Sequence, residues 1–557
     1  MPETDAYEFA ESNLPQGLMK NQPFSDYQYN YINDINSGIY NNVTQSLVQF
    51  DLSSLYNSSK FTNTKSHHIL IPILRCAEAR NAAGDARVNL ADTNYYLTAL
   101  KNLNTTLVHQ IDLTIGGKTI HQLTPFINLF TGVKLLSQLS SDDLELMGSV
   151  LGIYDIDTPG SMSYTAAAAD TFSSPGISNN YINGSPTPNI TASNVPQGSE
   201  QANLALQLKT MQNKCIAGAR GLNLITNANQ MYNEFQPTYE LNANFQAVWT
   251  DYIVIFMKDI LDAMDKIGLV RRLDAVLRIY VNTGFCRVTY PAASRLQFAA
   301  ADSTFTDTCP VVVTHNDALP ANNVASLNVG VFIGSAPSYT FNGTSFSGIQ
   351  SRMRACRYYY NSIAIQPSLA LDYISSNSAK TVLYDSVLYN TFTNIESGGN
   401  FSQLIQNGVS NIKSVILVPL LAASVHGFSA YKSPFDPVGG AAGHPCSLTS
   451  LQVAVGGVNQ LSTSLDFTWE NFVQQVSKFN KSSSSEYGVE SGLISQNFWN
   501  NNRFYIVNVR STEDDMNTPR NVVISFKNNS AVNIDVVCFI VYEDKLTINV
   551  STGLITK

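Results

Sequence analysis

Residues 111–123 read IDLTIGGKTIHQL. Within them Gly116-Gly117-Lys118-Thr119 could close a phosphate-binding loop, or could turn one strand back onto the next. A loop of the Gly-x4-Gly-Lys-Ser/Thr kind needs glycine at position 112, so that bare backbone amides can surround phosphate oxygens, and a helix directly after it. Asp112 stands at that position, and KTIHQL continues as a strand. Both departures disfavour a phosphate site. A two-residue hairpin turn needs positive φ at both central residues, which Gly-Gly supplies without steric cost.

The pattern returns 340 residues later. LTIGGKTIHQLTPFINLFTGVKLL (113–136) parallels VAVGGVNQLSTSLDFTWENFVQQV (453–476): alternating apolar residues, Gly-Gly, a returning strand, then an aromatic-bearing helix. Val458 replaces Lys118 in the second copy. A further pair sets Trp249 with RLDAVLRIYVNTG against Trp499 with PRNVVISFKNNS, at an offset of 250. The first half therefore carries about 90 extra residues between its Gly-Gly turn and its tryptophan. That is where residues 157–200 form a Pro-, Gly-, Ser-, Asn- and Ala-rich stretch without a base. Two copies of one β-domain, the first with a loop inserted at about 153–240, account for both offsets. A loop of that length is either a surface excursion or an exposed tower or contact loop.

Elsewhere the same periodicities recur. Val48, Phe50 and Leu52 alternate with polar residues, as do AVLRIYVNTG and VVISFKNNS, marking half-buried strands. HILIPIL (68–74) and SVILVPLLA (414–422) are continuous apolar runs suited to strands buried on both faces, with Pro72 and Pro419 at edges or bulges. Helices are expected in three stretches. SSDDLELMGSVLGI has Ser140 or Ser141 as N-cap; DYIVIFMKDILDAMDKIGL and TWENFVQQVSKF are the others.

Charged residues make up 13% of the 557-residue chain, against about 25% in an ordinary globular protein, while aromatics reach 10%. Surfaces poor in charge and rich in aromatics suit permanent protein contacts, because burying unpaired charge costs far more than burying a hydrogen-bonded amide. Net charge is −9 with no basic run, so direct nucleic-acid binding is not expected. The N-terminal stretch is itself acidic, holding Glu3, Asp5, Glu8, Glu11, Asp26 and Asp34 against Lys20. Seven scattered cysteines (Cys76, Cys215, Cys286, Cys309, Cys356, Cys446, Cys538) fit a reducing compartment rather than a disulfide framework. No signal peptide and no long apolar span is read, so neither secretion nor membrane insertion is expected.

Candidate chemistry is sparse. His67-His68 and His444-x-Cys446 lack partner pairs at zinc spacing and are read as solvated or hydrogen-bonded residues. Asp155 and Asp157 lack a calcium-loop pattern and suit turn capping; STEDDMN (511–517) suits a solvated loop. No nucleophile-elbow, zincin or Cys-His signature occurs. Catalytic, metal-binding and cofactor-binding residues are all expected to be absent.

With the duplication, the insertion, the low charge and the missing catalytic signature in place, the chain resembles the double jelly-roll major capsid proteins of the adenovirus, virophage and polinton-like virus lineage. Residues 31–61, 450–492 and 519–544 carry the likeness to the virophage and polinton-like members. It implies a mainly β fold of two tandem eight-stranded jelly rolls joined by short helices. The expected division is an acidic arm at 1–36, a first roll at 37–292 with its inserted loop, and a second at 293–557. It further implies a homotrimeric, pseudo-hexagonal capsomer tiling the icosahedral shell of a double-stranded DNA virus. Its partners would be neighbouring capsomers, penton and minor capsid proteins, and its place the virion, assembled inside the host cell and not secreted. The arm, with Tyr27, Tyr29, Tyr31 and Tyr40, would reach neighbouring subunits or form a loose tail. A β-sandwich viral spike or carbohydrate-binding adhesin, using exposed Trp and Tyr in end loops, is the alternative, with a sandwich glycosidase third.

Overall fold

The computed structural model describes residues 24–56, 59–81, 87–88, 96–100, 103–152, 238–241, 244, 246–289, 310–315, 324–422, 446–464, 466–480, 490–496, 499, 503–509, 518–530 and 533–556. The inserted loop from 153 to 237, Asp155 and Asp157, His444, Cys215, Cys309 and residues 511–517 lie outside them.

The chain is mainly β, and the same strand order occurs twice. In the second half Lys380–Ile395, Ile534–Ile548, Ile412–Leu421 and Tyr505–Asn508 lie side by side in one antiparallel sheet. Asn400–Ile405, Val522–Asn528, Leu448–Val455 and Val458–Asn459 form another. In the first half Phe24–Asn33, Arg357–Ile365, His68–Asn81 and Ala247–Phe256 pair in sequence. Gln45–Asp51, Ala275–Asn282, Val108–Ile115 and Lys118–His121 form the companion sheet. Ranked by position among these eight strands of each half, they run 1-8-3-6 in the larger sheet and 2-7-4-5 in the smaller, both times. The first half adds further strands to its larger sheet, among them Phe61–Asn63, Leu269–Arg271, Gly284–Thr289 and Val324–Ile333.

Burial follows the sequence periodicities. Gln45–Asp51 and Ala275–Asn282 alternate between buried and partly exposed residues, each turning one apolar face inward. His68–Asn81 is buried along nearly its whole length, as its unbroken apolar run requires. Pro72 sits where the ladder on one side passes from Val324–Ile333 to Arg357–Ile365, and Pro419 lies beyond the last residue paired with Tyr505–Asn508. Neither proline has to supply a donor to those neighbours.

Three findings bear on these expectations. Asp251–Phe256 is a strand and not the start of a helix: DYIVIF pairs residue by residue with His68–Ile73, and helix begins only at Met257–Ile260 and Asp262–Ile267. Its β-branched Ile253, Val254 and Ile255 suit a strand, with Ile253 and Ile255 buried. Second, Val324–Ile333 and Arg357–Ile365, placed by the 293 division in the second unit, bond to His68–Asn81 of the first. Third, Phe24–Asn33, assigned to an arm, is a strand of this chain's own sheet, in register with Arg357–Ile365.

Both Gly-Gly pairs form hairpin turns with positive φ at each residue: 54° and 74° at Gly116 and Gly117, 59° and 82° at Gly456 and Gly457. A Cβ on Gly117 or Gly457 would meet nothing within 4 Å, so the turn conformation alone demands glycine there. Gly117→Ala and Gly457→Ala should each destabilise the protein by about 1–2 kcal/mol and by similar amounts, read as matched drops in the urea midpoint.

Candidate functional site

The Gly-Gly-Lys-Thr motif makes no anion cradle. The Gly116 N–H donates to the Asp274 carbonyl at 2.8 Å, and its counterpart Gly456 donates to Asn521 at 2.9 Å. In both copies this amide ties the hairpin to the residue entering the neighbouring strand. Lys118 is exposed.

His67 and His68 are separated by the strand pleat. His67 is fully buried: its Nε2 lies 2.7 Å from Thr62 Oγ1 and its Nδ1 2.8 Å from the Tyr358 hydroxyl. Thr62 spends its one proton on Asn361 Oδ1, so Nε2 must donate to Thr62 and Nδ1 must accept from Tyr358. This arrangement suits only the neutral ring, and desolvation, with the neighbouring His68, pushes the His67 pKa down to about 3. His68 lies on the opposite face, stacked on Tyr359 at 5.1 Å. Buried His109, edge-on to Phe126, is likewise depressed by desolvation, to about 4. Among the described residues no group of three or more His, Cys, Asp or Glu is placed to hold a metal. Cys76, Cys286, Cys356, Cys446 and Cys538 are buried, and burial pushes the Cys446 thiol up to about 12, so they behave as small apolar residues.

The most concentrated buried charge surrounds Glu78. Its carboxylate accepts from Arg80 Nε at 2.7 Å, Gln246 Nε2 at 2.6 Å and the Thr344 hydroxyl at 2.6 Å, with Arg87 Nε at 3.2 Å. Arg80 also donates to the Gly343 carbonyl at 2.7 Å, so the network pins the 340–345 hairpin onto His68–Asn81. It is a structural clip, with every carboxylate oxygen engaged. A cleft of about 360 Å³ beside Asp385, Ser414, Gln475 and Asn508 holds Lys413, whose ammonium is already bound by Asp385 at 2.6 Å and Glu543 at 2.5 Å. Trp249 and Trp499 are 2% and 1% exposed, so neither offers a surface platform for a sugar.

What the two halves share most extensively is a seam. Phe126, at the start of helix Ile127–Gln138, stacks on Tyr389 at 5.7 Å, and Phe130 meets Phe539 at 5.8 Å. Polar links surround these rings. Lys380 donates to the Ile267 carbonyl at 2.8 Å, the Asp385 N–H to Asp262 at 2.8 Å, and the Leu493 N–H to the Leu136 carbonyl at 2.8 Å. Near the Lys380 link the Arg271 N–H also reaches the Val550 carbonyl at 3.1 Å. An aromatic centre inside a polar margin is the anatomy of a protein–protein interface.

No protein-family model matches the chain, and no curated protein matches it. Among solved structures it is similar to the Sputnik virophage structure, at 12% identity and TM-score 0.49, covering 96% of this chain and 88% of that one. It is also similar to the Faustovirus major capsid protein, at 8% identity and TM-score 0.43, covering 98% and 97%. The mavirus major capsid protein is similar at 10% identity and TM-score 0.41, covering 95% and 89%.

Glu78→Ala would leave Arg80 buried beside an empty position and should cost about 3–5 kcal/mol, measured as a lowered denaturation midpoint. Acid should act on the histidines. Below their ordinary pKa of 6.5 the unfolded chain takes up protons that folded His67 and His109 refuse. Stability is then complete above about pH 6.5 and falls on acidification toward about pH 4 and 3, by up to about 1.4 kcal/mol per pH unit per histidine. Thermal midpoints between pH 7 and pH 4 should decline in the native chain and decline less steeply in His109→Phe.

Proposed function

We propose that this chain is the major capsid protein of a double-stranded DNA virus, a structural protein without catalytic activity. The observation that carries this is the repeated 1-8-3-6 and 2-7-4-5 strand order, the connectivity of an eight-stranded jelly roll, occurring twice in one chain. We divide the rolls at 24–365 and 380–548, with helix Pro367–Ser376 between them. The inserted segments of the first roll fall between its strands, where a jelly roll accepts long loops at its ends.

Three such chains would form a pseudo-hexagonal capsomer of six rolls, tiling an icosahedral shell with neighbouring capsomers, penton and minor capsid proteins in the virion. The scarcity of charge supports large permanent interfaces, since few ions have to be desolvated as copies assemble. Size-exclusion chromatography with mass measurement should give a particle near three times 60.9 kDa, and negative-stain images should show six-lobed rings. A monomer persisting at high concentration would overturn this function.

A further inference from the structure

The two rolls carry corresponding rows of outward-facing residues, one covered and one partly buried with an exposed end at Tyr31. In the second roll Tyr389, Phe539, Ile416 and Ile506 stand in register across the four strands of the larger sheet. Phe539 is completely buried there, because Phe126 and Phe130 of the first roll's helix lie over Tyr389 and Phe539. In the first roll Tyr31, Tyr359, His68 and Phe256 form the matching row, again in register. Tyr31 lies 5.6 Å from Tyr359, which stacks on His68 at 5.1 Å, and His68 is 5.6 Å from Phe256. Tyr31 is 50% exposed and its neighbour Tyr29 46%. Arg357 holds its guanidinium 4.6 Å above the Tyr31 ring.

We propose that a second copy of this chain covers the Tyr31–Tyr359 row, using the side of its second roll that carries helix Trp469–Asn480. This rests on the trimeric function proposed above and names the surface that closes the ring. Within one chain, the helix that follows the Gly-Gly hairpin of roll one packs on the outer sheet of roll two. The counterpart helix follows the second hairpin and turns Glu470, Gln474 and Lys478 to solvent on one face. Repeating the intrachain relation from roll two to roll one of the next copy is a head-to-tail contact, which forms a closed ring when the rotation allows. Tyrosine and arginine at this row are residue types that anchor interfaces, and Glu470 supplies a charge opposite to Arg357. The aromatic pair therefore recurs at both kinds of seam, with Phe126 and Phe130 as partners inside the chain and a more polar helix between chains.

Full-length chain carrying a benzophenone amino acid at Tyr31 should, on irradiation, form interchain adducts that map to 469–480 of another copy. Tyr31→Glu combined with Tyr29→Glu should weaken association at least tenfold by mass-resolved chromatography while leaving the monomer's circular dichroism unchanged. A native trimer that survives the double substitution, or adducts mapping to another segment, would overturn this surface while leaving the trimer standing. A monomeric native chain would instead overturn the trimeric function itself.

Discussion

The outer face of the second roll's larger sheet cannot be left in water. Ile416, Ile506 and Phe539 on it are fully buried, and Ile534–Ile548 is buried over most of its first half although its inner face alone would fill the roll's core. Burying one such side chain contributes about 1.5–3 kcal/mol, so an uncovered row would remove a large part of a domain's net stability. The first roll supplies the cover, and one continuous apolar cluster accordingly runs from Val48 through Phe130 to Phe539 and Ile555. The rolls share a strand order, but the chain folds around their contact.

The first roll meets the same requirement by another route. Its larger sheet hides Leu74, Cys76 and Val248 under an insertion of its own, in which Phe285 packs against Phe332, Phe341 and Phe346 at 5.0 to 6.1 Å. Near the other margin Phe61, Ile363 and Ile365 are covered by Leu369 and Tyr373 of the connecting helix and by Val550. Between these two patches lies the tyrosine row. The duplicated sheets thus differ in what hides them: a neighbouring roll in one, an insertion and a linker in the other.

Much of this was legible because one-faced burial leaves a periodic trace. The strands of the smaller first-half sheet alternate, and the Gly-Gly turns mark the same corner in both halves, so the repeated strand order left a trace in the sequence. Other features depend on partners remote in sequence. YQYNYIN in Phe24–Asn33 shows a strand-like mixture but no apolar face, since its place is fixed by backbone pairing to residues more than three hundred positions away. The division expected at 293 precedes a β-rich stretch that itself resembles the beginning of a domain, and Val324–Ile333 and Arg357–Ile365 within it bond to His68–Asn81. Helix was expected across 251–256 because YIVIF is apolar at every position and so shows no period of two in the sequence, although in the fold only Ile253 and Ile255 of these residues are buried. His67 was identifiable as a histidine without a metal partner, but its tautomer follows from Thr62, Tyr358 and Asn361, which only the fold brings together.

The scarcity of charge acquires a more specific meaning from where the buried charges sit. Glu78, Arg80 and Arg87 fasten an insertion to a strand, while Asp262, Lys380, Asp385, Lys413 and Glu543 gather along or beside the seam. At these places ionic groups occupy junctions between segments, where the geometry of a hydrogen bond fixes one alignment; Arg75 and Asp251 pair instead across two neighbouring strands of the larger sheet, and apolar rings occupy the centre of the seam, where area provides the stabilisation. A sheet face could slide by a residue over aromatic contacts alone. The amide of Asp385 on Asp262 and the ammonium of Lys380 on the Ile267 carbonyl forbid that shift.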